Sequence, residues 1–409
     1  MSLPMPTSRW PFHIIAKPIG AICNINCAYC FYLEKEHLYS YPNRAAFRMS
    51  PEVLESYVQQ YIAAQPESLP EINFAWQGGE PTLLGVDFFR RAVALQKQYA
   101  RPGQSVTNAF QTNGLLLDDE WCALFKSESF LVGLSIDGPE ALHDRYRVDL
   151  HGRGTFARVM AGLERLQKHG VEYNTLTVVQ NDNGDHGAEV YRFLRGIGSR
   201  FLQIIPIVEY SGGKSGPSHL PTQVQVSERT VGPEQWGRFL NAVWDEWLKE
   251  DIGQVFVQHF DMMLGLALRY PATLCVHSQT CGRALAIEHN GDLYSCDHFV
   301  TPQYRLGNIQ QRKLAVLVDS EAQQKFGADK SNTLPRYCRE CQYQRYCYGG
   351  CPAHRIKNTP SGEPGLNHLC EGYMLFYAHT LPTLRAMAEA MRRGGTARDY
   401  PRFLAATAS

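Results

Sequence analysis

The chain has 409 residues, 44% of them hydrophobic, and its 40 basic residues balance its 40 acidic residues. A formal net charge of zero counts against a nucleic-acid-binding protein, because such proteins usually present a basic face. No apolar run approaches the roughly 20 residues that a membrane-spanning helix needs, and the first ten residues lack the apolar core of a signal peptide. We therefore expect a cytoplasmic protein with no membrane or nucleic-acid partner.

Six strand-like stretches alternate with helical patterns over the first 210 residues. Several are near-continuous apolar runs, which is typical of parallel strands covered on both faces. The clearest helical pattern spans 155–169, with Thr155 suited to cap its start and Gly170 its end. The alternation predicts a partial (β/α)6 barrel, whose functional residues would lie at the carboxyl ends of the strands. The predicted strands span residues 13–17, 72–77, 106–111, 131–136, 174–179 and 201–208.

Composition divides the rest of the chain. A segment rich in Ser, Gly, Pro and Thr at 210–232 indicates a loop, an amphipathic helix starts at Pro233, and an apolar helix covers 255–270. A final helix, broken near Pro382, leads into a loose tail. We therefore expect a barrel at 10–232, a helical connector at 233–272, a cysteine-rich domain at 273–373 and a C-terminal helix and tail at 374–409.

Twelve cysteines in a cytoplasmic chain favour metal binding or catalysis over disulfides. Cys122 lies in an apolar stretch and is expected to be an ordinary core residue. Cys23, Cys27 and Cys30 share one short loop. Iron–sulfur clusters are held by thiolates, normally one per iron, so three thiolates would leave one iron of a cubic cluster open to a ligand. A structural zinc loop is the alternative interpretation.

Eight more cysteines lie in the last third of the chain, and two sets of four would account for them. Taken alone, their spacing favours zinc, since sites with four cysteine ligands are common. The spacing does not say which four share a site. These cysteines are Cys275, Cys281, Cys296, Cys338, Cys341, Cys347, Cys351 and Cys370.

The first cysteine loop resembles the signature of radical S-adenosylmethionine (radical SAM) enzymes, and Gly-Gly-Glu-Pro at 78–81 resembles a second motif of that family. The resemblance implies that the loop holds a 4Fe–4S cluster whose open iron binds S-adenosylmethionine. Alone, the second motif could be a plain strand–helix turn, and Arg147 a solvated side chain. The cofactor contacts that the resemblance implies are the backbone of Gly79 at the methionine amino group, Ser135 and Arg147 at the ribose and carboxylate, and Tyr29 and Val208 near the adenine.

The later cysteines resemble the SPASM domain of peptide-modifying radical SAM enzymes, which carries two auxiliary 4Fe–4S clusters. The resemblance implies three clusters in all, and it decides the ligand sets that spacing leaves open. The first auxiliary set would be Cys275, Cys281, Cys296 and Cys351. The second would be Cys338, Cys341, Cys347 and Cys370. Zinc at one or both sites is the remaining alternative.

From about residue 13 to residue 377 the chain is similar to anaerobic sulfatase-maturating enzymes, including the segment Cys296-Asp297-His298. These enzymes oxidise a Cys or Ser of a sulfatase to Cα-formylglycine by hydrogen abstraction from Cβ. The resemblance implies that Asp297 is the base and that an auxiliary cluster accepts the second electron. His298 is an alternative base, because histidine titrates near neutrality. Asp297 could also be only a turn residue.

The expected partners are an unfolded or nascent sulfatase polypeptide carrying the target Cys or Ser, and an external low-potential electron donor. The nearest rival function is another SPASM enzyme, one that forms thioether or carbon–carbon crosslinks in a peptide. The short stretch before Cys23 disfavours the versions of that enzyme with an N-terminal peptide-binding domain. A rival of another class is a zinc-stabilised interaction protein without catalytic activity.

Overall fold

A computed structural model of the chain describes residues 6–41, 43–210 and 225–404. Most of the predicted loop at 210–232 and the end of the predicted tail lie outside the described residues. The strands, numbered in chain order, are β1 His13–Lys17, β2 Glu71–Trp76, β3 Ser105–Thr112, β4 Leu131–Ser135, β5 Tyr173–Val179, β6 Phe201–Pro206, β7 Phe256–Val257, β8 Ala284–Glu288, β9 Asp292–Tyr294, β10 Arg305–Asn308, β11 Lys357–Asn358 and β12 Pro364–Leu366.

The helices include long amphipathic elements and short single turns. Helix α1 shows how the sequence starts a helix. Pro51 occupies its first position, and the hydroxyl of Ser50 accepts a hydrogen bond from the amide of Val53. The α-helices are α1 Pro51–Ala64, α2 Val86–Tyr99, α3 Asp119–Ser127, α4 Glu140–His143, α5 Phe156–Lys168, α6 Gly187–Gly196, α7 Pro233–Glu250, α8 Gln258–Ala267, α9 Leu314–Val318, α10 Glu321–Asn332, α11 Arg336–Arg339, α12 Gln344–Cys347 and α13 Cys370–Arg392.

The described chain forms two compact units. The first comprises the described residues up to Ser135 together with Asp144–Tyr173 and Gly282–Ala328, and the second comprises Ile136–His143, Asn174–Cys281 and the described residues from Asp329 onward. Each unit is built from segments distant in sequence. The four segments expected from composition remain a prediction.

The first unit contains a mixed sheet in the order β10-β9-β8-β1-β2-β3-β4. Strands β8, β1, β2, β3 and β4 are parallel, whereas β9 and β10 run antiparallel. The sequence predicts β1 to β4 but not β8, although β8 is an apolar stretch that pairs with β1 along its whole length, from His13↔Ala284 to Lys17↔Glu288. This pairing brings a late segment of the chain to the end of β1 where functional residues are expected.

The core of the first unit is rich in aromatic side chains from its strands and its helices. Trp76 on β2 and Phe89 on α2 are fully buried, with ring centroids 5.5 Å apart in an edge-to-face arrangement. Cys122 on α3 is fully buried in the same core, as expected. Burial raises its pKa to about 11, so it is an inert thiol.

The second unit contains the parallel strands β5, β6 and β7 and the antiparallel pair β11 and β12. Helices α7 and α13 pack closely in this unit, because Gly237 and Gly372 face each other. A Cβ on Gly237 would lie 2.6 Å from the carbonyl oxygen of Gly372. Among the described residues, no helix is both long and apolar enough to cross a membrane.

Three details differ from the expectations. Thr155 does not cap α5 with its side chain. Its hydroxyl donates to the carbonyl of Arg147, and the carboxylate of Asp144 accepts from the amides of Thr155 and Phe156. The apolar helix at 255–270 is shorter, since only Gln258–Ala267 is α-helical. Helix α13 continues through Pro382 because packing within the unit outweighs the loss of one backbone donor.

Candidate active site and cluster-binding cysteines

The first cysteine loop follows β1 and is held by backbone hydrogen bonds within the first unit. The amides of Asn26 and Ala28 donate to the carbonyls of Val148 and Tyr146, at 2.8 and 3.2 Å. The three thiols are near enough to interact electrostatically. Burial, the carboxylate of Glu80 and the other two thiols raise the pKa of Cys23 to about 12.

All twelve cysteines lie among the described residues, and none of them forms a disulfide with another. Thiols that lie close together in a partly buried loop ionise with difficulty unless a cation compensates their charge. A bound metal ion is such a cation, and it binds the thiolate form. The donor set of Cys23, Cys27 and Cys30 therefore fits an iron–sulfur cluster. The same three thiols would also fit a zinc ion.

Gly79 packs directly against this loop. Its amide donates to the carbonyl of Gly20 at 2.7 Å, and the amide of Glu80 donates to the carbonyl of Ile22 at 2.8 Å. A Cβ on Gly79 would lie 1.9 Å from the carbonyl oxygen of Ile22. Only glycine allows this approach of two backbone segments, so the Gly-Gly-Glu-Pro segment is built into the loop.

Glu80 ties the ends of two strands together. Its fully buried carboxylate accepts hydrogen bonds from Thr82, Thr112 and the amide of Asn113. Asn113 in turn donates to the side chain of Asn24 in the cysteine loop at 2.7 Å. Burial raises the pKa of Glu80, while these hydrogen bonds oppose the rise. The carboxylate thus acts as a structural clamp on the loop.

Of the predicted S-adenosylmethionine contacts, Tyr29 lies within the loop and Arg147 lies against it. Both are buried, and the guanidinium carbon of Arg147 is 5.6 Å from the centre of the Tyr29 ring. Ser135, at the end of β4, accepts a hydrogen bond from Gln111 at 3.0 Å. Val208 lies two residues after β6, in the second unit, and is half-buried. The roles of these residues remain a prediction.

Asp297 forms an ion pair with Lys17. The ammonium lies 2.7 Å from a carboxylate oxygen, and the two side chains are only 3% and 14% exposed. Lys17 ends β1, whereas Asp297 follows Cys296 in a short 3-10 turn. Lys17 also donates to Gln77 at 3.3 Å and lies 4.4 Å above the ring of Tyr32. The opposite charges of Lys17 and Asp297 thus hold the two side chains in place.

Sequence reasoning missed Lys17 as a functional residue. The available signal was a charged side chain closing the apolar strand His-Ile-Ile-Ala-Lys, at the strand end where functional groups gather. His298, the alternative base, packs against Phe31 with ring centroids 5.6 Å apart.

A buried chain of hydrogen-bonded polar side chains lies behind Lys17, and sequence reasoning missed it. The hydroxyl of Tyr32 donates to Glu288, whose other oxygen lies 3.2 Å from a ring nitrogen of His289. The second ring nitrogen of His289 is 3.0 Å from the hydroxyl of Tyr41. Burial, followed by the nearby charge of Glu288, raises the pKa of Tyr32. Tyr32 is therefore a neutral hydrogen-bond donor here.

Three members of the first auxiliary set, Cys275, Cys281 and Cys351, lie in the second unit, and Cys296 lies in the first. The three thiols interact electrostatically. Burial raises the pKa of Cys281 to about 12. The charge of Lys330 opposes this rise, and Cys351 and Cys275 add to it. The three residues in the second unit are thus brought together as the predicted set requires.

All four members of the second auxiliary set line one pocket in the second unit. Cys338, Cys341, Cys347 and Cys370 are joined there by apolar and aromatic side chains, among them Tyr373. Burial and the other thiols raise the pKa of Cys338 to about 11 and that of Cys370 to about 12. Four thiols around one apolar cavity fit a four-thiolate metal centre.

Models of two protein families match the chain. A model of the radical SAM superfamily matches residues 18–194, and a model of the SPASM iron–sulfur cluster-binding domain matches residues 275–342. The second match favours iron–sulfur over zinc for the later cysteines. Both matches confirm the predicted fold class of a radical SAM barrel followed by a SPASM domain.

Similar proteins cover nearly the whole chain. A serine-type anaerobic sulfatase-maturating enzyme from Bacteroides thetaiotaomicron is 42% identical, over 93% of this chain and 92% of the relative. A cysteine-type enzyme from Clostridium perfringens is 31% identical, over 93% of this chain and 100% of the relative. The structure of native anSMEcpe with bound AdoMet and Cp18Cys peptide matches with a TM-score of 0.79 and 31% identity, over 94% of this chain and 99% of that chain. This chain therefore belongs to the family of anaerobic sulfatase-maturating enzymes.

Proposed function

We propose that this chain is a radical SAM oxidoreductase that oxidises a Cys or Ser side chain of a sulfatase polypeptide to Cα-formylglycine. The observation that carries the proposal is the buried Lys17–Asp297 ion pair beside Cys296, in a chain 42% identical to a maturase of this kind. The chain thus combines a carboxylate suited to proton transfer with three groups of cysteines suited to one-electron chemistry.

The residues fit S-adenosylmethionine and three 4Fe–4S clusters. Cys23, Cys27 and Cys30 would hold the first cluster, and the two sets of four cysteines would hold the auxiliary clusters. Tyr29, Gly79, Ser135, Arg147 and Val208 would contact S-adenosylmethionine. When bound, these cofactors supply the acceptor for a hydrogen atom from Cβ of the target residue and the acceptor for one further electron.

Asp297 would take the proton of the target side chain. Converting an alcohol or thiol to the corresponding carbonyl or thiocarbonyl group removes one hydrogen atom from Cβ, one proton from oxygen or sulfur, and one electron. In the Cys case, water then replaces sulfur and releases hydrogen sulfide. The carboxylate accepts only the proton, so its part can be tested separately from cofactor cleavage.

Lys17 would position Asp297 for the arriving target. Its ammonium lies 2.7 Å from a carboxylate oxygen, and the low exposure of both side chains, 3% and 14%, limits their movement. The side chain of Gln77, which accepts from Lys17, would fix the direction of the ammonium. Asp297 would therefore be held in one orientation in a site from which water is largely excluded.

The partner is proposed to be a sulfatase segment in extended or unfolded form, since Cβ of the target must reach a buried carboxylate. The relatives are named as enzymes that mature sulfatases, and one solved relative contains a bound peptide. An external low-potential electron donor would supply the electron that starts each turnover.

The test is anaerobic incubation of the loaded enzyme, S-adenosylmethionine and reductant with sulfatase peptides that differ only in Ser, Cys or Ala at the target. We expect an aldehyde, detected by mass spectrometry and by reaction with a hydrazide, from the Ser or Cys peptide and none from the Ala peptide. A thioether or carbon–carbon crosslink also removes two hydrogens but gives no hydrazide adduct. That outcome would support the rival crosslinking function.

Two variants separate the base from its neighbour. Asp297→Asn should still form 5′-deoxyadenosine and retain all its iron, while formylglycine formation falls by roughly 10²–10⁴-fold, the usual contribution of a general base. His298→Gln is the matched control and should stay within a few-fold of wild type. The opposite pattern would assign the base to His298.

A further inference from the structure

Two cationic side chains, Lys330 and Arg355, are buried in the second unit near the predicted auxiliary-cluster ligands. Lys330 is 1% exposed and Arg355 is 9% exposed. Lysine and arginine are almost never fully buried unless they are paired, because taking such a charge out of water is strongly unfavourable. Their surroundings must therefore contain something that stabilises positive charge.

Lys330, on α10, binds the backbone of the segment that carries Cys275. Its ammonium donates to the carbonyls of Cys275, Val276 and Ser278, the second at 3.0 Å. All three ammonium hydrogens thus have an acceptor. The lysine holds this segment in a tight turn next to the first auxiliary set.

Arg355 binds the turn between Cys347 and Cys351, which are predicted ligands of different clusters. Its guanidinium donates to the carbonyls of Tyr348 and Gly349 at 2.7 and 3.1 Å, and to the carbonyl of Lys330 at 2.7 Å. Tyr348 and Gly349 both have left-handed backbone conformations, with φ of 44° and 72°. The arginine therefore stabilises a strained turn and links it to Lys330.

Carbonyl oxygens satisfy the hydrogen bonds of both cations but carry no net charge. No ion pair between the described residues includes either Lys330 or Arg355. The ionisable anions with the largest effect on them are cysteines: Cys275, Cys281 and Cys351 for Lys330, and Cys281, Cys338, Cys347 and Cys351 for Arg355. The charge of Lys330 also acts on Cys347. Burial lowers the pKa of both cations, and these cysteines oppose that shift.

We propose that Lys330 and Arg355 are charge-compensating residues that set the reduction potentials of the auxiliary clusters. Lys330 serves mainly the set containing Cys275, Cys281 and Cys351, and Arg355 serves both sets. A 4Fe–4S cluster with four thiolates is anionic, and each electron that it takes up adds one negative charge. A fixed positive charge in a buried site favours the reduced state, since net local charge is one determinant of cluster potential.

The inference rests on the auxiliary clusters and not on the identity of the oxidised substrate. Its test uses the full chain with Cys23, Cys27 and Cys30 replaced by Ala, loaded with iron and sulfide, so that only auxiliary clusters report. Dithionite titration followed by electron paramagnetic resonance gives the potentials, and iron analysis gives the occupancy. The variants are Lys330→Met and Lys330→Arg, with Lys325→Met, exposed on the same helix, as the control.

We expect Lys330→Met to lower the equilibrium constant for one-electron reduction of one cluster at least tenfold, which corresponds to about 59 mV. Lys330→Arg and Lys325→Met should stay within threefold of the parent. Equal shifts in the Met and Arg variants, or no shift in either, would overturn the proposal.

A loss of iron is also decisive. If Lys330→Met does not hold its clusters but Lys330→Arg does, the positive charge compensates the charge of the clusters, which supports the proposal. If both lose iron, the shape of the lysine matters and its charge does not, which contradicts the proposal. Arg355→Lys and Arg355→Met form a second pair that is interpreted in the same way.

Discussion

At the scale of single residues, the Lys17–Asp297 pair is the feature that most constrains the chemistry. Asp297 was expected from its place after Cys296, but its partner comes from the opposite end of the chain. A buried ion pair adds little to stability compared with apolar residues of the same size, yet removing one partner is costly. The pair is therefore better explained by its function than by its contribution to folding.

Replacing Lys17 with Met should destabilise the protein by about 3 kcal/mol, the lower end of the range for breaking a buried pair, because Asp297 keeps 14% of its side chain exposed. The double variant Lys17→Met/Asp297→Asn should recover part of this loss, since it buries no unpaired charge. Thermal unfolding of the loaded protein at one scan rate measures both effects. Additive losses would show that the two residues are not coupled.

A second prediction concerns two histidines in the second unit. Burial lowers the pKa of His259 to about 4 and that of His277 to about 3. The folded protein keeps both neutral, while the unfolded chain takes up protons as the pH falls below about 6.5. Stability should therefore be highest above pH 6.5 and should fall as the pH drops from about 6.5 towards 4, by up to about 1.4 kcal/mol per pH unit for each histidine.

Unfolding midpoints at several pH values between 7.5 and 5 measure this slope. His259→Leu should flatten it, whatever its effect on stability at neutral pH, because one group no longer titrates on unfolding. His37→Gln, at an exposed position, is the control and should leave the slope unchanged. Equal slopes in all three proteins would show that His259 does not contribute.

At the scale of elements, the site is made where strand ends meet the cysteine loop. Gly79 and Glu80, after β2, bind the loop backbone directly, and Asn113, after β3, reaches Asn24. Parallel strands place such segments at one edge of a sheet, which is why polar residues after several strands pointed to one site. The short 3-10 turn after β9 then brings Asp297 to Lys17 at the end of β1.

Gly79→Ala should displace the loop, because the new Cβ would lie 1.9 Å from the carbonyl of Ile22 and neither backbone segment can give way freely. We expect the variant to lose the iron of the first cluster, about a third of the total, and to stop cleaving S-adenosylmethionine. Gly196→Ala is the control, since a Cβ there meets no atom within 4 Å. Full iron content in Gly79→Ala would show that the loop tolerates the shift.

At the scale of the whole molecule, the cysteines fall into groups that serve separate steps. The first loop belongs to the first unit, and seven of the eight later ligands belong to the second. Because the second auxiliary set forms one pocket by itself, its cluster should assemble without the first.

Replacing Cys23, Cys27 and Cys30 with Ala should therefore leave about eight of twelve irons bound, four per remaining cluster. Formation of 5′-deoxyadenosine should be abolished in the same protein. Iron and sulfide analysis and chromatography of the nucleoside measure the two effects. Reductive cleavage of S-adenosylmethionine by this variant would place the chemistry at another cluster.

Much of the fold was predictable because its signals are local. The six predicted strands all form, with ends shifted by no more than two residues, since most of them are short apolar runs bounded by polar or turn residues. The Thr155 side-chain cap was wrong because the carboxylate of Asp144, 11 residues earlier, accepts from the amide of Thr155. The break at Pro382 was wrong because a helix packed on its neighbours tolerates one missing hydrogen bond.

By itself, the amino-acid sequence determined which residues are chemically suited to bind clusters, since cysteine spacing and the Gly-Gly-Glu-Pro motif are local patterns. It also indicated the family, the fold class and Asp297. Only the tertiary structure decided what surrounds these residues: Lys17 against Asp297, Glu288 behind Tyr32, and Lys330 and Arg355 against the later cysteines. Each of these contacts forms because segments distant in sequence pack in one sheet or one turn. The periodicity of hydrophobic residues along the chain does not indicate which charged side chain will pair with which partner.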